Sequence, residues 1–128
     1  MKSNGNIEKT ELDEWATDLL SCDEGMLGRA EIGDRAFAIG LKMDCGEGFC
    51  NRYGVTCFDL DNLREVLPGV SDLSDLGNLA FSQWRGITHW DNGPNERTLA
   101  CLRLVLRRII ELTKNERLRT RRLFSILI

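Results

Sequence analysis

Three cysteines within thirteen residues are the densest set of metal-capable side chains in this chain. Cys45 and Cys50 bracket Gly46-Glu47-Gly48-Phe49, and Cys57 follows. Thiolates are soft ligands for zinc, and His89, the single histidine, has the chemistry of a fourth ligand. The spacings are Cys-x4-Cys and Cys-x6-Cys, without the Cys-x2-Cys knuckle and the second paired half-site that structural zinc sites carry. Cys45 and Cys50 are also spaced to close a redox-labile disulfide across the loop. Asp44 and Glu47 push a nearby thiol pKa upward, and no neighbouring cation offsets them. The set therefore reads first as inert thiols, with a small zinc-stabilised domain as the alternative and no other cofactor implied.

A second constellation surrounds the histidine in Phe81-Ser82-Gln83-Trp84-Arg85-Gly86-Ile87-Thr88-His89-Trp90. On a helix, Asp75, Asn78, Ser82, Arg85 and His89 fall within about 80° of one another, while Leu73, Leu76, Ala80, Trp84 and Ile87 gather elsewhere. Arg85 could grip a phosphate or carboxylate in bidentate fashion, with His89 as a second donor. The competing reading is the solvated side of an amphipathic helix. Asp75, Ser82 and His89 have the types of a hydrolase triad. Seven-residue spacing on one helix, however, separates neighbours by about 10 Å, at ~1.5 Å rise per residue, too far for direct proton transfer. No nucleophile elbow, Walker-type loop or dinucleotide-binding glycine pattern is present. The reading is of a protein that is not an enzyme.

Arginine supplies the third candidate. Arg103, Arg107 and Lys114 lie along one edge of a C-terminal helix, and Arg117, Arg119, Arg121 and Arg122 extend the run. Such a set suits nucleic-acid phosphates or an acidic partner surface. Aromatic interleaving is poor, which does not favour stacking on single strands. Charge is uneven along the whole chain: residues 1–80 carry 7 Lys/Arg against 16 Asp/Glu, and residues 81–128 carry 10 against 4. The net charge of −3 conceals this division. The acidic front suits a basic partner surface, or else the two halves attract each other.

These residues have to be positioned by elements that hydrophobic spacing suggests. Leu12, Trp15, Ala16, Leu19 and Leu20 form one helical stripe over 7–21. Arg29 to Ile32 and Arg35 to Met43 read as two strands around a Gly33-Asp34 turn, because Phe37, Ile39, Leu41 and Met43 alternate with smaller or polar residues. Tyr53 to Phe58 reads as a third strand. Asp59 or Asp61 can cap a short helix that Pro68-Gly69 stops, and Ser71 or Ser74 can cap a longer one running to Trp90. Asn95 opens the strongest helix, from Glu96 to about Thr113, with Leu99, Leu102, Leu106, Ile109 and Ile110 as its apolar stripe.

The fold class expected is α+β: a small antiparallel sheet packed against an N-terminal helix and two longer C-terminal helices. Its core would draw on Phe37, Ile39, Leu41, Val55, Trp84, Leu99, Leu102, Leu106 and Ile109. At 128 residues, 42% of them hydrophobic, one domain over 1–128 is expected. Residues 1–6 read as flexible, and 115–128 as a basic and then apolar extension. The apolar end, Leu123-Phe124-Ser125-Ile126-Leu127-Ile128, would pack into the core, add a strand to the sheet, or bury itself in a second copy as a homodimer contact. The start lacks an apolar secretory segment and no run approaches the ~20 residues of a membrane span, so the expected location is the cytoplasm, without membrane attachment. Together these point to a small binding protein of inhibitor, immunity or accessory type that contacts a protein partner. A nucleic-acid binder and a zinc-stabilised domain stand as alternatives.

Overall fold

The computed structural model describes residues 8–42, 48–89 and 93–127, with side chains as far as Lys114. Among the described residues every regular element is helical: α1 (Lys9–Leu20), α2 (Ala30–Leu41), α3 (Phe49–Tyr53), α4 (Leu60–Val66), α5 (Leu73–His89) and α6 (Glu96–Leu127). Single 3-10 turns stand at Glu24–Met26 and Leu67–Gly69. The expected antiparallel sheet is absent from the described residues, so the α+β reading gives way to an all-helical architecture.

The error has a definite source in residues 29–43. Alternation of Phe37, Ile39 and Leu41 with Ala36, Ala38 and Gly40 matches a strand, but short apolar runs satisfy both periods. The helical set Ile32, Ala36 and Ile39 (i, i+4, i+7) is the one that packs inward, with Ala36 and Ile39 buried. Phe37 and Leu41, expected in the core, are 39% and 80% exposed. Ala30, Glu31, Ala36, Ala38 and Leu41 also favour a helix intrinsically. At the third expected strand, α3 occupies Phe49–Tyr53 and ends at Gly54, whose φ of 69° is the left-handed cap that glycine adopts freely. Residues 55–59 run on without regular structure, with a turn at 57–58.

Side-chain caps open three of the helices read, α4, α5 and α6, while Glu8 makes none at the start of α1. Asp59 accepts a hydrogen bond from the Asn62 N–H at 3.2 Å and opens α4. Asp72, rather than Ser71 or Ser74, caps α5, its Oδ1 accepting from the N–H groups of Ser74 (2.9 Å) and Asp75 (3.1 Å). Asn95 and Thr98 cap α6 reciprocally: Asn95 Oδ1 accepts from the Thr98 N–H at 2.9 Å, and Thr98 Oγ1 from the Asn95 N–H at 3.0 Å. The backbone of α6 is helical through Leu127, so the apolar chain end is no added strand. At ~1.5 Å per residue the 32 residues of α6 span about 48 Å. The expectation for residues 1–6 lies outside the described residues, as do the side chains of 115–128 and any homodimer contact they would make.

α6 is the spine, packing most extensively against α1 and α5, with α2 covering α1 and α5 and α3 lying on α5. Leu99, Leu102, Val105, Leu106 and Ile109 meet Leu12, Trp15, Ala16 and Leu19 of α1 and Leu76, Leu79, Ala80 and Trp84 of α5 in one apolar cluster. The Trp84 ring is fully buried, and its Nε1 donates to the Leu27 carbonyl at 3.0 Å, which satisfies the one polar atom of the indole. None of the described helices is long and apolar enough to cross a membrane.

Two glycines of α2 test this packing with opposite signs. A Cβ at Gly40 would stand 2.8 Å from the Phe81 ring, whereas one at Gly33 would stand 3.7 Å from the Trp84 ring, an ordinary contact. Gly40→Ala should therefore lose stability by about 1 kcal/mol, because forced repacking exceeds the gain in helix propensity. Gly33→Ala should gain ~0.5–1 kcal/mol from propensity. Chemical denaturation of the two variants checks both signs.

Candidate functional site

The polar stripe read along α5 divides in two. Its first half is an internal anchor. Asp75 lies in the first turn of α5, and its carboxylate is 4% exposed. Desolvating a carboxylate is costly unless donors surround it. Here Tyr53 donates its hydroxyl to Oδ2 at 2.6 Å, and Arg52 Nη1 donates to Oδ1 and Oδ2 at 2.9 and 3.2 Å. The helix N-terminus favours the negative charge as well. Asn78, one turn on, accepts the Phe49 N–H at 3.1 Å. Thus Asp75 and Asn78 grip both ends of α3, a five-residue helix too short to persist unaided.

Gln83 extends the anchor. Its side chain is fully buried, and Nε2 donates to the Cys57 carbonyl at 2.8 Å. Its Oε1 finds no hydrogen-bond partner among the described residues. Further along the stripe, Ser82, Arg85 and His89 are exposed. His89 Nδ1 lies 2.7 Å from Thr88 Oγ1, and the imidazole ring meets Phe37 edge-on at 5.5 Å between centroids. The five candidates therefore do not converge on one ligand.

The thiols are distributed by depth. Cys50 and Cys57 are half-buried with their sulfurs 3.6 Å apart. Burial first, then the neighbouring Cys50, pushes the Cys57 thiol up to about 12. Cys22 and Cys101 are buried, as expected of small apolar residues, and burial raises both thiols. Cys45 lies outside the described residues. No group of three or more His, Cys, Asp or Glu side chains among the described residues is arranged to hold a metal ion.

Of the basic candidates, Arg103 is half-buried, while Arg107 and Lys114 are exposed. Arg117, Arg119, Arg121 and Arg122 belong to the helical backbone of α6, and their side chains lie outside the described residues. Arg107 takes part in an unexpected feature, a groove of about 410 Å³ between α4, the Leu67–Gly69 turn and α6. Its apolar surface comes from Leu67, Pro68 and Leu104, and its charged edge from Arg64, Arg107, Arg108 and Glu111. Arg108 is committed to structure. Its guanidinium donates to the Val70 and Pro68 carbonyls at 3.2 Å and to Glu111 at 2.7 Å. Arg64 stands 3.9 Å from Asp61, both largely exposed, a weak pairing in water.

The acidic front is accounted for differently. Glu14 and Asp18 of α1 pair with Arg35 of α2, and Glu11 pairs with Lys42 at 2.6 Å. Sequence reasoning missed Arg52, Tyr53, Gln83 and Arg64. Arg52 and Tyr53 carry no periodic signal, since they act across 22 or more residues. Gln83 had one available signal, a polar residue directly beside the apolar stripe position of Trp84. No family model, curated protein or solved structure matches the chain.

Tyr53 gives the anchor a pH signature. Its hydrogen bond to Asp75, then burial, raises the phenol from 10.0 to about 12. Between those values the unfolded chain has released a proton that the folded chain retains, so stability falls as pH rises through that window. Tyr53→Phe should lose about 1–3 kcal/mol at neutral pH, where the charged acceptor is left one donor short. It should then show a shallower alkaline decline than the parent chain. Denaturant titrations at a series of alkaline pH values check both effects.

Proposed function

We propose that this chain is a non-enzymatic helical binding protein whose α4–α6 groove receives an acidic, apolar face of a partner protein. The observation that carries the reading is the composition of the groove: the apolar surface of Pro68 and Leu104, over the buried Leu67, beside the guanidinium groups of Arg64 and Arg107. Apolar area supplies non-directional affinity, and arginine supplies bidentate recognition of carboxylates. Arg107 has no ion-pair partner among the described residues, and Arg64 has only the long contact to Asp61. Support also comes from the opposite charge. Glu11, Glu14 and Asp18 of the acidic front are already engaged by Arg35 and Lys42, whereas Arg64 and Arg107 make no close ion pair among the described residues.

The nucleic-acid reading draws on Arg103, Arg107 and Lys114 along one edge of α6 and on Arg117, Arg119, Arg121 and Arg122 further along the same helix. Phosphate binding makes no use of the apolar surface beside Arg107, and Asp61 and Glu111 flank the same region. The protein-partner reading uses both components of the groove and is preferred on that ground.

The test uses two fluorescent helical peptides, one with Glu and Leu on a shared face and one with Glu and Ser, and a duplex oligonucleotide. The Glu/Leu peptide should bind more tightly than the Glu/Ser peptide. Charge reversal at both Arg64 and Arg107 should weaken it at least tenfold, with the circular dichroism spectrum unchanged. Tighter binding of the duplex, with affinity falling steeply in salt and lost on replacing Arg117, Arg119, Arg121 and Arg122, would replace this reading with the nucleic-acid one.

A further inference from the structure

The chain path around Cys50 and Cys57 holds two thiols together without a bond between them. Cys50 is the second residue of α3. Gly54, at φ 69°, turns the chain back, so that the N–H groups of Gly54 and Val55 both donate to the Cys50 carbonyl, at 2.9 and 3.3 Å. The returning strand of chain is then fixed at Cys57, whose carbonyl accepts from the buried Gln83 side chain. Cys50 is fixed from the other direction, since the Phe49 N–H that precedes it is held by Asn78 of α5. Both backbones are thus pinned to the same helix, leaving the sulfurs 3.6 Å apart.

We propose that Cys50 and Cys57 form a reversible dithiol–disulfide pair that exchanges with small-molecule disulfides, with Cys50 as the point of entry. A disulfide has its sulfurs about 2.05 Å apart, so closure shortens the sulfur–sulfur separation by about 1.5 Å. Access differs between the two. A cleft of about 150 Å³ is lined by Cys50 with Phe49, Asn51, Asn78 and Ser82, and Cys57 is not among its walls. Cys22 and Cys101 are buried and lie outside this cleft.

The exchange balances in two steps. Cys50 gives its proton to water, and its sulfur attacks one sulfur of the small disulfide, forming a mixed disulfide and releasing one thiol, which takes up a proton. Cys57 then gives its proton to water and attacks the Cys50 sulfur, and the second small thiol leaves as a thiolate that takes up a proton. The protein pair is oxidised by two electrons, and one small disulfide is reduced to two thiols.

The experiment equilibrates the full chain with reduced and oxidised glutathione at a series of ratios, then alkylates it and measures its mass. Of the five cysteines, two should become unreactive together under oxidising ratios, leaving three, and peptide mapping of the unmutated chain should join Cys50 to Cys57. Dithiothreitol should restore all five. Cys57→Ser should accumulate glutathione on Cys50, whereas Cys50→Ser should take up none at Cys57. A Cys45–Cys50 link, or five alkylated thiols at the most oxidising ratio, would overturn the proposal. The mapping needs no variant, so misfolding of a serine variant leaves the result decisive.

Discussion

A carboxylate placed out of water is the constraint around which the middle of this protein is arranged. Asp75 is nearly enclosed, and a bare charge in such a place costs several kcal/mol. Its donors come from Arg52 and Tyr53, and the backbone of its own turn is capped by Asp72. Arg52 is 41% exposed, so water screens its attraction and the ion pair alone is a weak fastening. The short bond from the Tyr53 hydroxyl, directed at one carboxylate oxygen, contributes more to the geometry. What the arrangement achieves is the attachment of residues 49–57, which have little core of their own beyond Phe49 and Val55, to the long helix α5.

The other consequences follow along α5. Asn78 and Gln83 continue the anchoring, and Trp84 ties the chain near Leu27 to the same helix. The helix is thereby buried on its apolar side and bonded along part of its polar edge, while Ser82, Arg85 and His89 remain at the surface. The region rich in candidate chemistry is therefore mainly architectural. A separate feature is the arginine-edged groove between α4 and α6. Arg108 helps build that groove by bonding the carbonyls at the end of the Leu67–Gly69 turn, which orients Leu67 and Pro68.

The sequence was legible where one physical signal dominated. The stripe of α1, Asp59 as a cap and Asn95 as the opening of α6 are local signals, and each stands in the structure. Residues 29–43 misled because Ile39 serves both a two-residue and a 3.6-residue period, and only packing against α5 decides between them. Phe37 and Leu41 look like core residues by type, yet the helix turns them outward. Asp75 belongs by spacing to the polar stripe of α5, but its role is not legible there because its partners lie 22 and 23 residues away. The groove was less legible still, since Arg64 and Arg107 join only through the docking of α4 on α6.

Amide hydrogen exchange on the parent chain and on Asp75→Asn tests this account most directly. Removing the charge while keeping the side-chain shape should speed exchange selectively in residues 49–58 and the first turn of α5. The core stretches of α1 and of α6 up to Thr113 should keep their protection, because the apolar packing that holds them does not involve Asp75. Unchanged protection across 49–58, or an equal loss throughout the chain, would contradict the claim that one buried carboxylate fastens this segment to the bundle.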